Sequence, residues 1–150
     1  MTAPGSPSSR PACPEELLFV ELLRTADLLS RYPAHLLRDH GLSSNQYNVL
    51  RILRGSPEGL LCGEIAARMI TREPDITRLL DRLEKRGLVG RCRHAADRRR
   101  VITRITSDGL ATLARLDDPV CSAHRRQLGH LGQKRLNQLS RLLAACRQPA

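Results

Sequence analysis

Residues 75–104, DITRLLDRLEKRGLVGRCRHAADRRRVITR, decide the fold. Ile76, Leu79, Leu80 and Leu83 recur at the helical period and form one apolar stripe. The opposite stripe carries Asp75, Thr77, Arg78, Asp81, Arg82 and Lys85. Pro74 suits a first helical turn, where a missing N–H is no loss, and Gly87 suits the left-handed position past the helix end. Beyond it, Leu88-Val89 and Val101-Ile102 flank a polar tip, which predicts a β-hairpin. Between Arg91 and Arg104 stand six arginines and one aspartate, a local charge of +5 within a chain of formal charge +10. A charged helix followed by an arginine-tipped hairpin predicts a winged helix-turn-helix.

Working outward, residues 15–40 show a long helical pattern along Leu18, Leu22, Thr25, Leu29 and Tyr32, which Pro33 should kink or interrupt and Gly41 should end. Ser43 or Ser44 caps a second helix with Tyr47 and Leu50 inward, and Leu60-Leu61 is a candidate short strand. A third helix, 63–69, should turn Ile65, Ala66 and Met69 inward. From Ser107 the pattern is helical again. It should bend at Pro119, break at Gly129 and Gly132, and resume over 133–146 with Leu136, Leu139, Leu142 and Leu143 on one side. The expected fold class is mainly α with a small β-hairpin wing. The expected organisation is a disordered tail over 1–14, an N-terminal dimerisation helix over 15–40, a winged helix-turn-helix DNA-binding domain over 41–106, and C-terminal dimerisation helices over 107–150. The flanking helices are too rich in leucine to be left in water, so a second copy of the chain is their natural cover.

Composition narrows the function classes. The strong positive charge calls for a polyanion, most commonly nucleic acid. One phenylalanine, two tyrosines and no tryptophan argue against base-stacking recognition of single strands. No apolar run approaches a membrane span, and the N-terminus lacks the apolar core of a secretory signal. Five cysteines without a framework spacing fit reduced thiols in the cytoplasm.

Four motifs in order carry a resemblance. Leu42-Ser43-Ser44-Asn45-Gln46-Tyr47-Asn48-Val49-Leu50 opens it, and Gly63-Glu64-Ile65-Ala66 follows. Then come residues 77–89, TRLLDRLEKRGLV, and Asp97-Arg98-Arg99 with Ile105-Thr106-Ser107-Asp108-Gly109. Together they resemble MarR-type (multiple-antibiotic-resistance regulator) transcription factors over roughly residues 17–146. The resemblance implies a homodimer whose terminal helices interlock and whose winged lobes grip a pseudo-palindromic double-stranded DNA operator. Such proteins usually repress, and many are released by a small organic anion or phenol, or by thiol oxidation.

Candidate residues follow. In the recognition helix, Thr77, Arg78, Asp81, Arg82 and Lys85 face outward, with Arg78 favoured for a paired contact to guanine O6 and N7. A solvated stripe with Asp81–Lys85 and Asp75–Arg78 pairs is the bland alternative. In the wing, the resemblance implies that Asp97 orders the tip and that Arg99 reaches the minor groove. Arg91, Arg93, Arg98 and Arg100 are candidate phosphate contacts, although alternation along a strand prevents all from facing DNA. Ser43, Ser44, Asn45 and Gln46 at a helix N-terminus could hold a phosphate, or serve simply as the cap. Tyr32, His35, Arg38 and Tyr47 are candidates for a ligand pocket. Cys62 and Cys92 are the candidate redox cysteines, against incidental thiols. Cys92-Arg93-His94 and Cys121-x-x-His124 with His130 match no closed zinc motif, so no metal is expected. Neither a cofactor nor a catalytic residue is expected, for want of a phosphate loop or nucleophile–base pair. Two rivals to a ligand-released repressor stay open: a thiol-based redox regulator, and a sequence-tolerant architectural nucleic-acid-binding protein.

Overall fold

The structure, a computed structural model, describes residues 13–93, 97 and 99–148. Most of the expected tail and the hairpin residues His94, Ala95, Ala96 and Arg98 lie outside the described residues. The chain divides between Arg31 and Tyr32 into two compact units.

Helix α1 (Pro14–Asp39) begins one residue before the expected boundary, and Glu15 and Glu16 in its first turn complement the helix dipole. The part in the first unit is polar on one side, with an Arg24–Glu21 pair at 3.2 Å and an Arg31–Asp27 pair one turn apart. Leu17, Leu18, Phe19, Leu23 and Leu28 on it are exposed. The helix runs through Pro33 without interruption. Both sides of the proline are held: Tyr32 accepts a hydrogen bond from Arg126, and Leu37 is buried in the core of the second unit. Packing there outweighs the lost backbone hydrogen bond.

The second unit contains α2 (Ser44–Arg54), β1 (Leu60–Leu61), α3 (Cys62–Arg68) and α4 (Ile76–Lys85), then β2 (Val89–Arg93) and β3 (Val101–Ile105). It closes with α5 (Ser107–Leu128), a single 3-10 turn (Gly129–Leu131) and α6 (Gly132–Ala145). The strands form an antiparallel sheet in the order β1-β3-β2, with Leu60 opposite Thr103, and Val89 to Arg93 opposite Ile105 to Val101. The core gathers Leu42, Val49, Leu50 and Leu53 around α2, Ile65 from α3, Leu79, Leu80 and Leu83 from α4, and Leu113 and Leu116 from α5. This is the winged-helix arrangement the apolar stripes predict. Each leucine so buried contributes about 1.5–3 kcal/mol before entropy is counted.

Three local expectations are corrected. Pro74 precedes α4: Asp75 is the N-cap, and its carboxylate accepts from Arg78 N at 3.0 Å. A carboxylate in that place satisfies a free N–H, which proline cannot do. Ala66 is exposed, and only Ile65 of α3 is buried. Met69 lies past the helix end yet still packs on the core.

Two joints position α4. At its C-terminus Gly87 (φ +70°) donates to Glu84 O at 2.8 Å, and Leu88 donates to Leu83 O at 3.0 Å. These two bonds use up carbonyls the helix cannot satisfy itself. Thr106 then ties this exit to α5. Its hydroxyl donates to Gly87 O at 2.6 Å and accepts from Gly109 N at 3.1 Å, while Thr106 N donates to Leu88 O at 3.1 Å. The approach is so close that a Cβ on Gly109 would collide with Leu88 O, which explains the glycine of the Thr-Ser-Asp-Gly motif.

Candidate nucleic-acid interface

Helix α4 buries Leu79, Leu80 and Leu83 and exposes Thr77, Arg78, Arg82 and Lys85. Arg78, Arg82 and Lys85 meet no acidic side chain among the described residues. Neither intrahelical pair of the bland alternative, Asp81–Lys85 or Asp75–Arg78, forms between side chains. Asp75 is spent on the cap, and Asp81, half-buried, faces the wing.

There Arg91 departs from its expected role as a phosphate contact. Its side chain is 22% exposed and donates through Nη2 to Asp81 Oδ1 at 2.7 Å, with Nε 3.6 Å from Glu84 Oε2. Nη2 also reaches Thr77 O at 3.4 Å. Arg91 is opposite buried Thr103 and two residues from buried Val89, so it shares their face of the sheet, turned toward α4. It clamps the wing to α4, with its guanidinium set against two carboxylates.

Farther out, Cys92, Arg93, Arg99 and Arg100 are exposed. Asp97 Oδ1 accepts from Arg99 N at 3.0 Å and lies 3.8 Å from Arg99 Nε, and Asp97 O accepts from Arg100 N at 3.0 Å. A single acid thus folds the tip, leaving the Arg99 side chain 97% exposed. Arg104 turns to the other face, donating to Glu58 O at 3.0 Å and to Cys92 Sγ at 3.3 Å.

At the start of α2, Ser43 Oγ accepts from Gln46 N at 3.2 Å while Gln46 Oε1 accepts from Ser43 N at 3.0 Å. This capping box occupies both side chains and leaves Gln46 buried. Asn45 donates to Glu73 Oε2 at 2.6 Å and accepts from Thr71 Oγ1 at 3.0 Å, so it braces the turn between α3 and α4. Of the four residues, Ser44 alone keeps an exposed side chain outside these contacts.

The residues expected to line a ligand pocket are not brought together. Tyr32 stacks under Arg126 at 4.9 Å, His35 Nδ1 lies 3.4 Å from Asp39 Oδ2 on its own helix, and Arg38 is exposed. Tyr47 does line a cleft of about 400 Å³ between α2 and α5, with Arg51, Val120, His124, Arg125 and Leu136. Burial pushes the Tyr47 hydroxyl above its ordinary pKa, against the opposing pull of Arg51. On the rim Arg54 is held by Asp117 through two bonds of 3.0 and 2.8 Å, a pair 63 residues apart that no local pattern announces. The Asp117 hydrogen bond raises the Arg54 pKa further. Cys62 Sγ sits 4.0 Å from Thr77 Oγ1. No cluster of three metal-ligating side chains occurs among the described residues.

The sequence model of the MarR family matches residues 40–100, from the end of the α1 connection to the wing. A MarR transcription factor from Planctomyces limnophilus is 41% identical, with 91% of this chain and 99% of that one covered and a TM-score of 0.68. The chain belongs to the MarR family. It is a DNA-binding transcriptional regulator of winged-helix architecture, and the MarR-type relatives it matches are regulators too. The repressor CouR, solved on a 23-mer DNA duplex, is 33% identical over 89% of this chain and 94% of its own, with a TM-score of 0.80. CouR from Rhodococcus jostii RHA1 bound to p-coumaroyl-CoA aligns at 27% identity over 94% and 98%, with a TM-score of 0.78. The homoprotocatechuate degradative operon repressor of Escherichia coli is 28% identical over 84% of each chain. No helix among the described residues of this MarR-family protein is long and apolar enough to cross a membrane.

Proposed function

We propose that this MarR-family protein is a homodimeric repressor of a pseudo-palindromic operator, acting in the cytoplasm and without catalysis. The carrying observation is the row Arg78, Arg82 and Lys85, free of acids among the described residues, beside a wing whose Asp97 is spent on its own tip. Arg78, nearest the helix N-terminus, reads guanine; Arg82 and Lys85 follow the groove. Arg99 enters the minor groove, and Arg93 and Arg100 hold phosphate. Residues 41–106 form the DNA-binding domain, with 15–40 and 107–150 as the dimerising parts. The exposed Leu17, Leu18, Phe19, Leu23 and Leu28 of α1 and Leu139 and Leu142 of α6 are the surfaces a second copy would cover.

The α2–α5 cleft suits an organic anion with a ring-sized apolar body. Val120, Leu128, Leu136 and Tyr47 supply apolar walls, and Arg51, His124 and Arg125 the polar rim. That CouR has been solved with p-coumaroyl-CoA favours this class of effector. A ligand that fits the cleft better in a form unable to straddle the operator releases DNA by that difference in affinity.

Selection of random double-stranded DNA by the reduced protein at physiological salt tests the reading. It should enrich an inverted repeat with half-sites about 10–10.5 bp apart. Enrichment without any preferred sequence would instead support an architectural, charge-driven binder. A second reading, a thiol switch, is favoured by the exposed Cys92 on the wing, whose sulfur accepts from Arg104. On that reading an oxidant releases the operator and Cys92→Ser abolishes the release.

A further inference from the structure

Ile70 is the most exposed large apolar side chain described, at 82%, and it lies on neither of the leucine-rich helices α1 and α6. It sits in the turn between α3 and α4, and that turn is fastened at several points. Ile70 N donates to Asn48 Oδ1 at 2.9 Å, and Thr71 Oγ1 donates to Asn45 Oδ1 at 3.0 Å. Asn45 in turn donates to Glu73 Oε2, while Glu73 Oε1 accepts from Asp75 N at 3.4 Å. Asp75 then caps α4 at Arg78 N. The backbone of Ile70 is thus tied to α2 on one side and, through Glu73 and Asp75, to the end of the recognition helix that carries Thr77 and Arg78. A β-branched side chain on a fixed backbone has little freedom left to lose on binding. Leaving it in water costs stability, and its neighbour Arg72 is an exposed cation.

We infer that Ile70 is a specificity-determining residue that packs on the 5-methyl group of a thymine in the major groove. The inference rests on the proposed docking of α4 in that groove. The thymine methyl is the apolar feature a base pair presents there, and aliphatic contact is how it is read. Ile70 would therefore complement Arg78: one selects an A·T pair by its methyl group, the other a G·C pair by hydrogen bonds.

The test begins with the inverted repeat selected by the wild-type protein. Each thymine is replaced in turn, in both half-sites, by deoxyuridine, which removes the methyl group and keeps the base pair. Wild-type protein and Ile70→Ala are then titrated on every duplex. One thymine should emerge at which deoxyuridine weakens the wild-type complex about fourfold per half-site, the effect of one methyl group withdrawn from water. Ile70→Ala should bind the thymine and deoxyuridine duplexes equally, and Ile70→Val should restore part of the discrimination. Penalties that add at every thymine, or an Ile70→Ala protein that binds the operator as tightly as wild type, would overturn the inference. If selection yields no preferred sequence, the proposed docking fails first, before any variant is made.

Discussion

Replacing Arg91 by glutamine separates a clamp from a phosphate ligand. Unit charges about 4 Å apart attract by about 4 kcal/mol at the effective dielectric of a protein surface. Most of that is cancelled by desolvating Arg91 and by the water that reaches Asp81, whose side chain is 46% exposed. A charge-assisted hydrogen bond at 2.7 Å with a second carboxylate nearby leaves a net contribution of about 1–2 kcal/mol. For a chain of 150 residues this lowers Tm by about 3–6 °C. Operator binding should weaken as well, because Asp81 and Glu84 are left uncompensated beside the stripe proposed to face DNA. Binding should be measured by fluorescence anisotropy across a salt series, on operator and on random duplex, for Arg91→Gln, Asp81→Asn and the double variant. A clamp predicts an unchanged salt slope, a larger loss on operator than on random DNA, and a double variant milder than the sum of the singles by about 1 kcal/mol. A phosphate ligand predicts a slope smaller by about 1.8 per dimer. That smaller slope, together with an unchanged Tm and additive penalties, would refute the clamp.

Four further outcomes are expected. Arg78→Ala should flatten base preference at one operator position, whereas Arg99→Ala should mainly lower affinity and the preference for A·T-rich flanks; equal losses on operator and random DNA for both would contradict this division. Leu23→Asp combined with Leu142→Asp should give a folded monomer in sedimentation velocity, with operator affinity lower by about 100-fold or more because the two half-sites are no longer linked. Gly109→Ala should cost about 3 kcal/mol through its collision with Leu88 O, seen in chemical denaturation. Because burial raises the Tyr47 pKa above its reference of 10.0, the folded protein holds that proton more tightly than the unfolded chain does. This stabilisation is complete below pH 10 and is lost as pH rises through the folded value. Tyr47→Phe should therefore lose less Tm than wild type between neutral and strongly alkaline pH.

Much of the fold is legible because its determinants are local. The stripe Ile76, Leu79, Leu80 and Leu83 and the glycine at 87 lie within one helix length, so α4, its exit and its outward cations follow from spacing alone. The interface is less legible where partners are distant. All the wing arginines carry the same charge, and strand alternation says only that some must turn inward. Arg91 is singled out by Asp81, on another element, and by Thr103 across the sheet. Tyr47 is legible as an inward residue of α2 and does line the cleft, but the Arg54–Asp117 pair on its rim joins different helices 63 residues apart and has no local signal. Tyr32, His35 and Arg38 are not among the lining residues. Asn45 reads as a helix-start residue, and only the return of the α3–α4 turn onto α2 gives it and Asn48 their bracing role.

The chain has no tryptophan, one phenylalanine and two tyrosines, and Tyr47 is a wall of the α2–α5 cleft while Tyr32 is capped by Arg126. Its near-ultraviolet spectrum is therefore almost entirely that of two side chains, one of them beside whatever occupies the cleft. A conjugated guest would absorb in a window where the protein is dark, and energy transfer from Tyr47 would dim its emission as the cleft fills. For a conjugated guest of the class proposed, the protein thus carries its own optical gauge, and screening needs no attached dye.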